Sequence, residues 1–221
     1  MVDRSRTGLW EWRTTVEPLE LRDGERGDVF AGYAFRYGAI SENLGGFVER
    51  IAQGAATKTL KETDLRGLFN HDPNNLLGRM GSGTLRVNDA SEGLRYFIDK
   101  PDTSLGRDLA TLVARGDIYG SSFTFMPEGA KGTHWMRSDT GFPLREIRQM
   151  KMRDVGPVTF PAYSASDVAL RSLAEFRSLP FEEIIAAAAD ERLGELLEDH
   201  GESLIEPPSD THVSVALRRY F

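Results

Sequence analysis

The sequence predicts a mostly β protein with flanking helices, of the α+β class. Several short runs alternate apolar and polar residues with a period of two, and two stretches instead carry apolar residues at helical spacing between cap residues. The charge balance also changes abruptly after residue 173. Residues 1–173 hold 23 acids and 23 bases, whereas residues 174–221 hold 11 acids and 4 bases, which accounts for the whole net charge of −7. The chain therefore divides into a neutral body, 1–173, and an acidic arm, 174–221.

In order, Trp10, Trp12, Thr14 and Val16 alternate with Glu11, Arg13, Thr15 and Glu17, and Val29, Ala31, Tyr33 and Phe35 alternate again beyond the turn residues Asp23-Gly24 and Arg26-Gly27. A hairpin is the simplest reading of residues 1–40. Gly54 to Thr63 reads as a short helix and Leu65 to Asn70 as a strand. Gly83–Val87 and Leu94–Ile98 read as two strands joined at Asn88-Asp89. Ser104 caps a helix with Leu105, Leu109, Leu112 and Val113 on one face, and Gly116 stops it. Strands follow at Ile118–Phe125, Arg145–Met152 and Val155–Phe160. In the arm, Pro180 opens an amphipathic helix whose stripe includes Phe181, Ile184, Ile185, Ala188, Leu193, Leu196 and Leu197, ending at Gly201.

Composition narrows the function. No run of eighteen apolar residues is present, so no membrane-spanning segment is expected, and Met1 to Trp10 lacks the apolar core of an export signal. Zero cysteines excludes disulfides, thiolate nucleophiles and Cys-ligated zinc. A neutral body with an acidic arm lacks the clustered basic face that nucleic acid requires. Phosphate-cradling and dinucleotide loops are missing, and His71 with Asp72 has no second ligand pair, so no cofactor or metal is expected.

Four histidines occur: His71, His134, His200 and His212. His71 alone ends an apolar run and precedes Asp72-Pro73, where the chain must turn, a fitting place for a general base. In Ile118–Phe125, Tyr119, Ser121, Phe123 and Phe125 share one face, and Ile118, Gly120, Ser122 and Thr124 share the other. The aromatic face is the expected core face, which turns Ser122 outward beside Gly120. Candidates to orient the imidazole are Asp154 and Glu146 on later strands. Residue pattern alone does not bring Ser122 to His71.

A series of motifs falls in a familiar order: Gly45-Gly46-Phe47, Leu68-Phe69-Asn70-His71-Asp72-Pro73, Leu77-Gly78-Arg79, Pro101-Asp102-Thr103, Arg115-Gly116-Asp117-Ile118, Gly120-Ser121-Ser122-Phe123 and Val158-Thr159-Phe160-Pro161-Ala162-Tyr163. Across residues 29–172 the chain resembles the prohead maturation serine proteases of tailed bacteriophages, related in fold to herpesvirus assemblin. The resemblance implies a small closed β-barrel of herpesvirus-protease type, followed here by the C-terminal amphipathic helix. It assigns His71 as base, Ser122 as nucleophile and Asp154 as the third member.

Two departures keep alternatives open. Ser121 stands where the family favours Met, so Ser121 is a second candidate nucleophile. Asp154-Val155-Gly156 replaces a usual Glu-Val-Ser, so Glu146 stays beside Asp154 as a candidate. The resemblance further implies cleavage of the major capsid protein's scaffold segment inside the procapsid, in the bacterial host cytoplasm. It also implies self-cleavage and the homodimerisation common among assemblin-like enzymes. Main-chain N–H groups would hold the oxyanion, with Arg79 and Arg153 as candidate helpers. The acidic arm reads as an encapsidation segment. The rival reading is an inactive scaffolding protein that keeps the protease fold.

Overall fold

A computed structural model describes residues 10–196, except 16, 130, 131, 140, 161–169, 171, 172, 175, 176 and 191. Twelve described strands form three sheets. The five-stranded sheet has the order β1 (Glu11–Thr15), β9 (Gly120–Pro127), β12 (Met150–Val158), β5 (Arg66–Leu68), β6 (Leu76–Arg79). The four-stranded sheet runs β2 (Glu20–Gly24), β3 (Gly27–Arg36), β8 (Gly93–Asp99), β7 (Leu85–Ala90). The third sheet runs β10 (Thr133–Arg137), β11 (Pro143–Ile147), β4 (Val48–Ile51). Pairing is antiparallel except for β12 with β5 and β11 with β4.

The hairpin expected in the first forty residues is β2–β3, turned at Gly24–Gly27, where Gly27 adopts φ 105°. Residues 11–15 do not join it. They form β1 and pair with β9, more than a hundred residues later, with Thr14 opposite Ser122. The β7–β8 turn falls at Ser91-Glu92 rather than Asn88-Asp89, and Gly93 (φ 153°) sits so close to β3 that a Cβ there would lie 2.9 Å from Arg36 Cα.

The helices run as expected, with shifts at their ends. α1 is Thr57–Glu62, and its Thr59 Oγ1 accepts the Met152 amide at 2.9 Å. α2 is Ser104–Arg115; Thr103, not Ser104, is its cap, accepting the Gly106 N–H, and Gly116 ends it at φ 81°. α2 buries Leu109 and Val113 in a main core that also holds Phe30, Phe35, Leu94, Tyr96, Ile98, Phe123, Phe125 and Val155. Each such large apolar side chain stabilises by roughly 1.5–3 kcal/mol on burial.

No closed barrel is found among the described residues. The β6 edge approaches the four-stranded sheet without a strand ladder: Thr84 N–H donates to Arg79 O at 3.2 Å through the 3-10 turn Met80–Ser82. Glycine makes that approach by packing, since a Cβ at Gly78 would lie 2.9 Å from Thr84 O. At the other end, β1, the edge strand of its sheet among the described residues, borders a cavity of about 230 Å³ lined in part by Arg13, Thr15, Phe35, Arg36 and Arg50.

Of the arm helix expected over 180–200, the described part is α3, Phe181–Ala189, ending at Asp190; its proposed stop at Gly201 lies outside the described residues. Ile184 and Ala187 of α3 pack with Leu193, Leu170, Leu173 and Ala174 against Leu44, Phe47 and Trp135. Residues on both sides of position 173 thus share one apolar cluster.

A buried ionic quartet ties β1 to the third sheet. Arg145 donates to Glu11 Oε1 and Oε2 and to Glu49 Oε2, each at 2.8 Å. Arg13 donates to Glu49 Oε1 and Glu11 Oε2, each at 2.9 Å. All four residues are buried, and the two acids balance the two bases. Burial opposes the Arg145 charge, but the facing Glu11 and Glu49 carboxylates outweigh it and raise its pKa.

Candidate active site

In β9 the expected alternation holds where it matters. Phe123 and Phe125 stack at 5.1 Å and face the core, which turns Ser122 and Thr124 to the opposite face. Tyr119 departs from the expectation: it precedes the strand and is half exposed. Opposite Ser122 on β12 is Gly156, where any Cβ would collide with the Leu68 carbonyl. Glycine at 156 therefore lets β5, and the turn that follows it, close over the serine.

That turn carries His71. Asn70 and His71 both adopt left-handed backbone, φ 55° and 57°, a conformation Asn tolerates better than most residues. The turn is pinned on both sides. Asn70 N–H donates to Pro157 O at 3.0 Å, its Oδ1 accepts Thr159 N–H at 2.8 Å, and its Nδ2 donates to Thr159 Oγ1 at 3.0 Å. The Asp72 carboxylate accepts the Asn74 N–H at 2.8 Å. His71 is thereby aimed back over the sheet with its side chain largely covered.

Asp154 reaches the same place through a β-bulge. Met152 pairs with Phe125 and Asp154 with Thr124, so Arg153 is an extra residue in β12. Period two alone would put Met152 and Asp154 on one face; the bulge keeps Met152 in the core and moves Asp154 to the face of Ser122 and Thr124. Asp154 is fully buried.

The structure brings Ser122, His71 and Asp154 into one hydrogen-bonded chain. His71 Nε2 lies 2.6 Å from Ser122 Oγ, and His71 Nδ1 meets Asp154 Oδ1. Thr124 Oγ1 sits 2.9 Å from His71 Nδ1 and donates to Asp154 Oδ1 at 3.2 Å. Arg153 Nε donates to Asp154 Oδ2 at 3.1 Å. Burial pushes the Asp154 carboxyl up, but His71 and Arg153 outweigh it and hold it below the ordinary aspartate value. Ser122 Oγ is also 2.9 Å from the carbonyl oxygen of Arg13, so its single proton has two acceptors within reach.

The other candidates stand elsewhere. Ser121 lies on the core face, fully buried, 2.7 Å from Tyr96 Oη. Glu146 on β11 pairs with Arg50 at 2.6 Å and Arg148 at 2.5 Å, and those guanidiniums outweigh burial to lower its pKa. Arg79 pairs with Asp64 at 2.6 Å. Among the described residues no three His, Asp or Glu side chains converge as a metal site requires. Sequence reasoning missed Thr124, although its place two residues after Ser122 was a usable signal. It also missed the Arg13 carbonyl, which leaves no signature in the sequence.

The arrangement joins a hydroxyl, an imidazole and a carboxylate in the order acyl transfer uses. The pattern of the caudovirus prohead serine proteases matches residues 17–178. The chain belongs to that family. It is a serine peptidase of the kind that acts in phage capsid assembly. No curated protein matches the chain. Among solved structures, the capsid assembly protease gp21 of bacteriophage T4 is similar, with 16% identity, a TM-score of 0.46 and coverage of 69% of this chain and 98% of that one.

Proposed function

We propose that this prohead protease is an active endopeptidase that removes the scaffold segment of the major capsid protein, and cleaves itself, inside the procapsid in the host cytoplasm. The observation that carries the reading is the unbroken chain Ser122 Oγ, His71 Nε2, His71 Nδ1, Asp154 Oδ1.

Asp154 keeps the proton of the neutral imidazole on Nδ1, which leaves the Nε2 lone pair facing Ser122. As Ser122 Oγ bonds to the scissile carbonyl carbon, its proton passes to Nε2. The resulting imidazolium is stabilised by the buried carboxylate and then protonates the leaving amine. Water enters in place of the amine, His71 takes its proton, and the acyl-serine is hydrolysed. Ser121 has no part in this reaction, because it lies on the core face bonded to Tyr96.

The segment 174–221 is read as an arm for capsid or scaffold binding, on the strength of its acidic excess. Because Ala174, Ile184, Ala187 and Leu193 are buried, the arm is tested by truncation after Leu196. Unchanged incorporation into procapsids removes a binding role for residues 197–221.

The decisive experiment is co-expression with the cognate capsid protein. Cleavage that persists in Ser121→Ala and disappears in Ser122→Ala is the expected outcome. Intact capsid protein with every variant, the unsubstituted chain included, assigns the protein to a non-catalytic assembly role.

A further inference from the structure

β1 ends just before the stretch that matches the family begins, yet it is the strand hydrogen-bonded to the nucleophile's own strand. Its Thr14 is directly opposite Ser122 in the antiparallel register, so the two side chains share one face, with Cβ atoms about 4.5–5.5 Å apart. Thr14 is only 5% exposed, and its hydroxyl has no hydrogen-bond partner. Among the described residues, the other covered side-chain polar atoms in that condition are all arginine Nε atoms. A buried hydroxyl left unpaired is costly, and such a group is explained when a ligand supplies the missing partner.

The strand order fixes the side from which each group approaches. β9 lies between β1 and β12, with β5 beyond β12. His71 follows β5 and touches Ser122 from that side, whereas Thr14 stands on the β1 side. A carbonyl over Ser122 that directs its leaving group to His71 directs its oxygen toward β1. Resting on the Ser122–His71–Asp154 reading, the geometry points to Thr14 as a catalytic residue whose side-chain hydroxyl donates to the oxyanion.

When Ser122 Oγ bonds to the carbonyl carbon, its proton goes to His71 Nε2 and the carbonyl π pair becomes the oxygen's negative charge. The Thr14 O–H donates a hydrogen bond to that oxygen and keeps its proton. This donor adds a side chain to the main-chain groups expected at such a site. Trp12, half exposed on the same face two residues earlier, borders the approach.

The test uses the full chain with p-nitrophenyl butyrate as substrate and butylboronic acid as a probe that forms a tetrahedral adduct on a reactive serine. Thr14→Val keeps the shape and removes the donor. It is expected to lower kcat by about 10²–10³ with KM changed less than about twofold, the range for loss of one oxyanion donor. It should weaken the boronic acid by a comparable factor, while Thr14→Ser recovers most of both. A purely structural threonine would move melting temperature without this split between kcat and KM. Unchanged kcat and boronate affinity in Thr14→Val, with Ser122→Ala inactive, overturns the role of Thr14 and leaves the triad standing. Absence of any Ser122-dependent turnover of either the ester or the capsid protein overturns the triad and Thr14 together. A Thr14→Val chain that fails to fold transfers the decision to Thr14→Ala, whose kcat and boronate affinity must fall by the same factors, and unchanged values there overturn the role of Thr14.

Discussion

Adjacent serines on one strand should fail in opposite ways when each is replaced by alanine. Ser121 Oγ and Tyr96 Oη are 2.7 Å apart and both residues are fully buried. Ser121→Ala leaves the tyrosine hydroxyl without a partner in a site closed to solvent. A stranded buried hydroxyl costs about 1–3 kcal/mol. For a chain of this size each kcal/mol moves the melting temperature by about 2–4 °C, so the expected fall is about 2–12 °C. Cleavage should continue, because the change is on the core face of β9.

Ser122→Ala reverses the pattern. It removes the proposed nucleophile, for which the rate loss is about 10⁶, whereas His71 Nε2 is at a partly open site where water can replace the lost bond. A third variant sharpens the comparison. Tyr96→Phe combined with Ser121→Ala deletes both partners and should recover much of the stability, because neither polar group is left unpaired. Differential scanning calorimetry and turnover of the capsid protein read the two effects separately. Loss of cleavage in Ser121→Ala with an unchanged melting temperature would contradict the face assignment.

Asp154→Asn should lower kcat by about 10⁴, since an amide N–H facing His71 Nδ1 favours the imidazole tautomer with its proton on Nε2, which cannot accept from Ser122; a loss below tenfold refutes the orienting role. The Asp154 carboxyl titrates below its unfolded value, so its contribution to stability is complete above about pH 4 and is lost as the pH falls through the lower folded value. Urea unfolding between pH 6 and pH 2 should therefore fall more steeply for the unchanged protein than for Asp154→Asn, and equal slopes would count against it. Arg145→Met leaves Glu11 and Glu49 facing each other with Arg13 alone, and should cost about 3–5 kcal/mol in urea melts; a loss under 1 kcal/mol shows that water enters the quartet.

Local pattern carried most of this architecture as far as single elements. The period-two face of β9 separated Ser122 from Ser121 because aromatic residues mark its core side. The helix Ser104–Arg115 was legible from its apolar stripe and the following glycine. Non-local pairing was not. Residues 11–15 read as half of an early hairpin, and nothing within them names β9 as their partner. Asp154 was legible through family order but not through alternation, because the extra Arg153 in β12 inverts its face. The expected barrel gave way to three sheets because the β6 edge is joined to its neighbour by a turn and by glycine contacts rather than by a ladder. The left-handed Asn70-His71 turn had only the Asn-His-Asp-Pro run as its sign.

The spacing of the ionic quartet has a consequence for synthesis. Glu11 is separated from Arg145 by 134 positions, and Arg13 supplies a carbonyl to a serine 109 positions later. Strand β1 must therefore wait for more than a hundred further residues before it can dock. Contacts of such long range form late, after the intervening chain has been ordered. A half-made polypeptide accordingly lacks the Ser122–His71–Asp154 chain of hydrogen bonds, because Ser122 and Asp154 have yet to be added.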